Sequence, residues 1–167
     1  MATPHLAGTA AVLIGQHDEW SAAQVRSAIV NTAVGGLTKY TDGKTPETDV
    51  NVIGAGKEDV VKATNANLAL APVSTSFGSV PAGSGQPRTA QVVVSDLTGT
   101  GGNYPVSVTG TVGGVTFTPS ADRIAVPAGG SATLTVTMTV ARGVTAGDKQ
   151  ATLVVGDSHS VLYTLVK

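Results

Sequence analysis

Leu134-Thr135-Val136-Thr137-Met138-Thr139-Val140 decides the fold. Apolar residues and threonines alternate without a break, and successive side chains of a strand point to opposite faces. One face of this segment therefore belongs in a core, while the other meets water, as in an antiparallel sheet covered on one side. The pattern spreads outward from there. Ser131 to Val140 makes up the whole predicted strand, and Arg88 to Leu97, Tyr104 to Gly110, Lys149 to Gly156 and Ser158 to Val166 share its β-branched residues. Shorter extended pieces are expected at Val73 to Phe77, Gly114 to Thr118 and Arg123 to Val126. Between them fall Pro81-Ala82-Gly83, Gly99-Thr100-Gly101-Gly102, Pro127-Ala128-Gly129-Gly130 and Ala146-Gly147-Asp148, which read as turns. Seven or eight short strands at a spacing of about ten residues predict an all-β, immunoglobulin- or fibronectin-like sandwich. The chain has no cysteine, so the antibody type with its Cys–Trp–Cys pattern is excluded.

Toward the amino terminus the period changes. Met1 to Ile14 is rich in Ala and Leu, and its apolar residues fall on every side, predicting a helix buried all round, with Gly15 as its C-cap. Ser21-Ala22-Ala23-Gln24 is a capping box, in which the serine hydroxyl accepts the Gln24 N–H and the glutamine reaches back. Ala22, Val25, Ala28, Ile29 and Ala33 follow at helical spacing with Arg26 opposite, and Trp20 is placed to staple onto Val25. Gly35 to Asn51 reads as a polar loop, and a third short helix is expected over Glu58 to Ala66 with acidic residues in its first turn. The predicted class is α + β, a helical segment over 1–68 followed by the sandwich over 69–167. By itself a segment of 68 residues with no sheet to cover its first helix is expected to be partly disordered, aggregated or packed on another chain.

Composition removes several function classes. The 167 residues carry a net charge of −1 with 13% charged residues. No basic patch exists to neutralise phosphates, so nucleic acid is not an expected partner, and no Lys/Arg cluster draws an anionic membrane. The longest apolar run, Ala10 to Ile14, is far short of the ~20 residues of a transmembrane helix. Without cysteine there are no disulfides, thiolate metal sites or cysteine nucleophiles. Met1 to Gly15 has no Lys or Arg before its apolar run and no Ala-x-Ala site after it, so no signal peptide is read.

The remaining clusters have plain readings. His17-Asp18-Glu19 are neighbours in a loop and do not converge on one ion, so they are read as solvated. Ser21 is used as a cap. His159, beside Asp157, is placed in the exposed hairpin between the last two strands. Gly99-Thr100-Gly101-Gly102 lacks a following helix and a Lys-Ser/Thr pair, and is read as a loop rather than a phosphate cradle. The sandwich has only Phe77, Tyr104, Phe117 and Tyr163 as aromatics, and several are needed for its core, leaving few for sugar stacking.

Met1-Ala2-Thr3-Pro4-His5-Leu6-Ala7-Gly8 resembles the second half of the nucleophile signature of subtilisin-like serine peptidases, Gly-Thr-Ser-Met-Ala-Thr-Pro-His-(Val/Leu)-Ala-Gly. His17 to Ile29 resembles the loop and helix that follow in that family, where the helix reads (Thr/Ser)-x-x-Gln-(Val/Ile)-(Arg/Lys), and Asn31-Thr32-Ala33 is similar to its ending. Gly54-Ala55-Gly56-Lys57-Glu58-Asp59-Val60 resembles the turn into the last helix of the catalytic domain. By position and pattern, the strand-rich remainder resembles the fibronectin type III-like domain appended to many secreted subtilases.

The resemblance implies the C-terminal helices of an α/β catalytic domain, with the nucleophilic Ser immediately before Met1 and the Asp, His and oxyanion Asn farther upstream. Met1, Ala2, Thr3, Pro4, His5 and Gly8 are then structural residues flanking the nucleophile. Ala2, Ala7 and Gly8 allow close helix packing, and Pro4 is tolerated in the first turn. His5 is structural rather than the general base, because the family's order is Asp, His, Ser. The implied parent is a secreted endopeptidase acting on proteins or peptides, with the rest of its catalytic domain as partner. No cofactor is assigned to this chain. Calcium is admitted for the parent, with Thr41-Asp42-Gly43 and Asp49 as oxygen donors outside any EF-hand spacing. Without the triad the isolated chain is expected not to hydrolyse peptides. The alternative is a non-enzymatic product whose sandwich is a binding or accessory module.

Overall fold

Residues 2–83, 85, 87–110 and 113–167 are described by a computed structural model. Four helices precede nine strands: α1 (Ala2–Gln16), α2 (Ala22–Asn31), α3 (Val50–Ile53), α4 (Val60–Thr64), β1 (Leu68–Ala71), β2 (Ser74–Val80), β3 (Arg88–Asp96), β4 (Gly102–Thr109), β5 (Val115–Pro119), β6 (Arg123–Val126), β7 (Ser131–Val140), β8 (Gly147–Val155) and β9 (Ser158–Val166).

The strands form a sheet ordered β1-β3-β7-β5 and a second ordered β2-β9-β8-β4-β6. All neighbours are antiparallel except β2, which runs parallel to β9. Strand β7 behaves as its alternation demands. Leu134, Val136, Met138 and Val140 are buried between the sheets, while Thr135, Thr137 and Thr139 lie on the other face. They meet Phe77, Val106, Leu153, Val155 and Leu162 from the second sheet in one apolar core. Phe77 and Phe117 pack tilted at 52° with ring centres 5.4 Å apart, an aromatic geometry favoured over face-to-face stacking.

Several elements differ from the sequence expectation. Strand β1 was not expected, because Leu68-Ala69-Leu70-Ala71 contains no β-branched residue; it forms because its first three residues are buried against β3 and α2. Helix α3 arises inside the polar stretch once Asp49 caps it through the Asn51 N–H. Helix α1 continues through Gly15 to Gln16, and the His17 N–H still reaches the Leu13 carbonyl at 2.8 Å, so Gly15 is not a C-cap. The last helix starts at Val60 with Asp59 as N-cap, placing Glu58 ahead of the helix rather than in its first turn. His159 lies within β9, paired with Val154, and not in the turn. The turn itself is Gly156-Asp157, with glycine at φ 56° where a two-residue hairpin needs a positive dihedral.

Asp96, at the end of β3, ties two connections of the sandwich together. Its carboxylate accepts the Thr98 N–H and hydroxyl at 3.0 and 2.7 Å and the N–H groups of Gly101 and Gly129, both at 2.9 Å. Burial opposes the charge, but these donors, led by Gly129, outweigh it and hold the carboxyl at about 2. Because the folded value lies below the unfolded one, the stabilisation is present above about pH 4 and is lost as pH falls toward 2. Asp96→Ala is expected to cost on the order of 2 kcal/mol at pH 7. Urea unfolding at pH 7 and pH 2.5 checks this, with the gap to the unsubstituted chain narrowing at the lower pH.

Candidate functional site

Helix α1 carries the residues singled out in the sequence, apart from Met1, which lies outside the described residues. Its composition is unusual for a surface element. Ala2–Gln16 contains no Asp, Glu, Lys or Arg, yet only Thr9 and Leu13 are buried. Ala2, Thr3, Pro4, His5 and Gly8 are all exposed. Leu6, Val12 and Ile14 remain 43%, 45% and 55% accessible. A Cβ built on Gly8 or Gly15 meets nothing within 4 Å, so the described residues make no use of these small side chains. The close packing expected around them has no partner among the described residues.

The one buried face of α1 rests on a small cluster of Leu13, Trp20, Val25, Ala28, Ala63 and Ala66. Trp20 and Val25 share that cluster, as the staple reading requires, and the Ser21–Gln24 capping box is complete. His17 is not free in a loop. Its ring stacks on Trp20 with centroids 3.8 Å apart and 4° between planes, and its Nε2 lies 2.9 Å from the Thr64 carbonyl. The carbonyl only accepts, so this contact places a proton on Nε2. Glu19 approaches Nδ1 at 3.6 Å. Thr9 donates to Glu58, which tethers the middle of α1 to the approach to α4.

The acidic loop residues are taken up locally. Asp42 accepts the N–H groups of Lys44 and Thr45, each at 2.9 Å, and the Thr45 hydroxyl. These bonds, the Thr45 hydroxyl first, hold its carboxyl below the usual range. Asp49 is the cap of α3. Among the described residues no three His, Asp or Glu side chains gather as a metal site would require.

A second constellation lies where α2 meets the sandwich. Ser27 and Asn31, four residues apart and so on one helical face, are both buried, at 1% and 0% accessibility. The Ser27 hydroxyl donates to Asn31 Oδ1 at 2.7 Å and accepts the Leu70 N–H of β1 at 2.7 Å. Asn31 Nδ2 donates to the carbonyls of Val73 at 2.8 Å and His159 at 2.7 Å. Ser160 also donates to the Val73 carbonyl, and the His159 ring contacts the Ala55 carbonyl at 3.1 Å. Farther along the same sheet, Gln150 accepts the Val50 N–H and donates to the Thr48 carbonyl. Sequence reasoning missed this polar junction. Its only signal was a serine and an asparagine four apart beside the apolar stripe.

Comparison with known proteins bears on the first part of the chain. Residues 1–80 match the model of the subtilase family, Peptidase_S8. Minor extracellular protease Vpr of Bacillus subtilis is 39% identical over 80 residues, which are 47% of this chain and 9% of Vpr. Subtilisin-like protease SBT3.18 of Arabidopsis thaliana is 39% identical over 72 residues, 41% of this chain and 9% of that protein. The chain thus spans about a tenth of the length of these relatives. The matched segment runs past the helices and through β1 and β2. Among solved structures, domains 4 and 5 of the S-layer protein SbsC align with 59% of this chain and 50% of their own (TM-score 0.39, 23% identity). The Pseudomonas aeruginosa CupB2 chaperone aligns over 57% of this chain and 53% of its own (TM-score 0.42, 14% identity). Likenesses at that level carry no argument about function.

Proposed function

We propose that this chain is the C-terminal part of a secreted subtilisin-like serine endopeptidase. Residues 1–68 supply the last helices of its α/β catalytic domain, and residues 69–167 form an appended fibronectin type III-like domain. The observation that carries the reading is α1: the segment that opens the subtilase match is a helix without charge and exposed on nearly every side. A helix apolar all round belongs in an interior. In this reading a catalytic domain encloses α1, and the nucleophilic serine stands immediately before Met1.

The helix then has a chemical task as well as a structural one. The N–H groups of a helix's first turn lack intrahelical acceptors and concentrate partial positive charge. A serine placed there attacks a peptide carbonyl where those N–H groups help bind the oxyanion. Pro4 costs nothing at this end of the helix, since its absent N–H had no intrahelical partner. The upstream Asp and His complete the triad, and proteins or peptides are the substrates. Secretion is supported by the similarity to minor extracellular protease Vpr of Bacillus subtilis.

A fluorophosphonate probe tests the proposal on the 167-residue chain and on a form extended upstream through the serine. Labelling of the extended form alone is expected. Labelling of neither form overturns the peptidase reading in favour of a non-enzymatic sandwich module. Labelling of the short chain contradicts the assignment of the nucleophile.

A further inference from the structure

The junction between α2 and the sandwich holds more order than a tether between independent modules requires. Asn31 offers two N–H groups and one carbonyl, and all three are used, with Val73, His159 and Ser27 as partners. Ser27 in turn is engaged by the Leu70 N–H. Leu70 belongs to β1 of the four-stranded sheet, His159 to β9 of the five-stranded one, and Val73 lies just before β2. Asn31 at the end of α2 therefore grips the five-stranded sheet, and Ser27, one turn earlier and bonded to it, grips the four-stranded one.

Such a contact is intolerant of displacement. Each helical residue advances the side-chain direction by about 100°, so any other rotation of α2 withdraws Asn31 from both carbonyls. The Asn31 side chain would then lose both acceptors within a buried site, since Asn31 and Ser27 are 0% and 1% accessible. Along its length α2 presents Val25 and Ala28 to Leu13 of α1. The Thr9–Glu58 bond adds a second hold on α1.

We infer that Asn31 is a positioning residue: through it the sandwich sets α2, and through α2 the helix α1 at whose amino end the proposed nucleophile stands. The sandwich thereby governs bond cleavage without meeting substrate. For the reaction this rests on the proposed function; the clasp itself does not. Displacements of about 1 Å at a reacting group lower rates up to 100-fold, which makes a remote clamp kinetically visible.

The test has two readouts on Asn31→Leu, with Ser27→Ala as the milder variant that keeps both carbonyl bonds. In the 167-residue chain, amide exchange at Val25 and Ala28 is expected to quicken at least tenfold in Asn31→Leu, while Leu134, Val136 and Leu153 stay within twofold. Ser27→Ala should fall between. In the upstream-extended protein, kcat should drop about tenfold or more with KM within twofold, since the clasp touches no substrate. Unchanged exchange in α2 for both variants overturns the clasp. Faster exchange with unaltered kcat overturns positioning. Absence of catalysis in the unsubstituted extended protein removes the proposed function and the positioning role together, and the exchange data then judge the clasp alone. If Asn31→Leu does not fold, Ser27→Ala decides by the same two criteria.

Discussion

The isolated chain is expected to self-associate through α1, and the combined substitution Leu6→Gln, Val12→Lys and Ile14→Lys is expected to return it to a monomer. These three side chains are 43%, 45% and 55% exposed on a helix that carries no charge. They point to different sides of the helix, so no rotation of α1 on its present support hides them together. Apolar surface of this kind drives association in water, and charges placed in it oppose that. None of the three belongs to either buried cluster, so the sandwich should unfold as before. Sedimentation velocity over a hundredfold range of concentration measures the effect. The unsubstituted chain should grow in mass with concentration, and the triple variant should hold the mass of one chain.

The second large effect separates the two cores. Leu153 is fully buried in β8, centred between β4 and β9, where it pairs with Val108 and Ser160. Leu153→Ala removes buried methyl groups and leaves a cavity, at an expected cost of about 2–5 kcal/mol. That is a large share of the stability of a domain this size. Leu13 is equally buried, but the other buried members of its small cluster are one Trp, one Val and three alanines, with Ala10, Ile29 and Leu97 half-buried at its edge. Leu13→Ala should therefore loosen the helical cluster and leave the sandwich transition in place. Trp20 makes the distinction measurable, as the sole tryptophan and a member of the helical cluster. Its fluorescence should respond to Leu13→Ala at low urea, while circular dichroism of the sheets should shift mainly with Leu153→Ala.

What was legible follows from where the information sits. Strands β6, β7 and β9 occupy the residues expected of them, because β-branched alternation between Gly and Pro turns is a local signal. The α2 start was equally readable, since a capping box closes within four residues. Strand β1 escaped because its state is set by β3 and α2 rather than by propensity, and α3 because four residues carry no period. His159 was misplaced when its neighbour Asp157 was read as extending the turn; a two-residue hairpin ends one position before Ser158 begins β9. The role of Asp96 was foreshadowed only by its spacing to Thr98, a common turn pairing, since Gly129 joins it from a distant loop. The motif at α1 was legible as a family resemblance, and the structure adds a helix without Asp, Glu, Lys or Arg on which Leu6, Val12 and Ile14 stay exposed.

The most direct measurement is amide hydrogen exchange at Ala10, Val12 and Ile14, in dilute monomer, with and without the upstream extension. If α1 belongs inside a larger catalytic domain, these amides exchange fast in the 167-residue chain and at least a hundredfold more slowly in the extended protein. Equal, strong protection in the short monomer would show that α1 is complete as it stands, and would contradict the account.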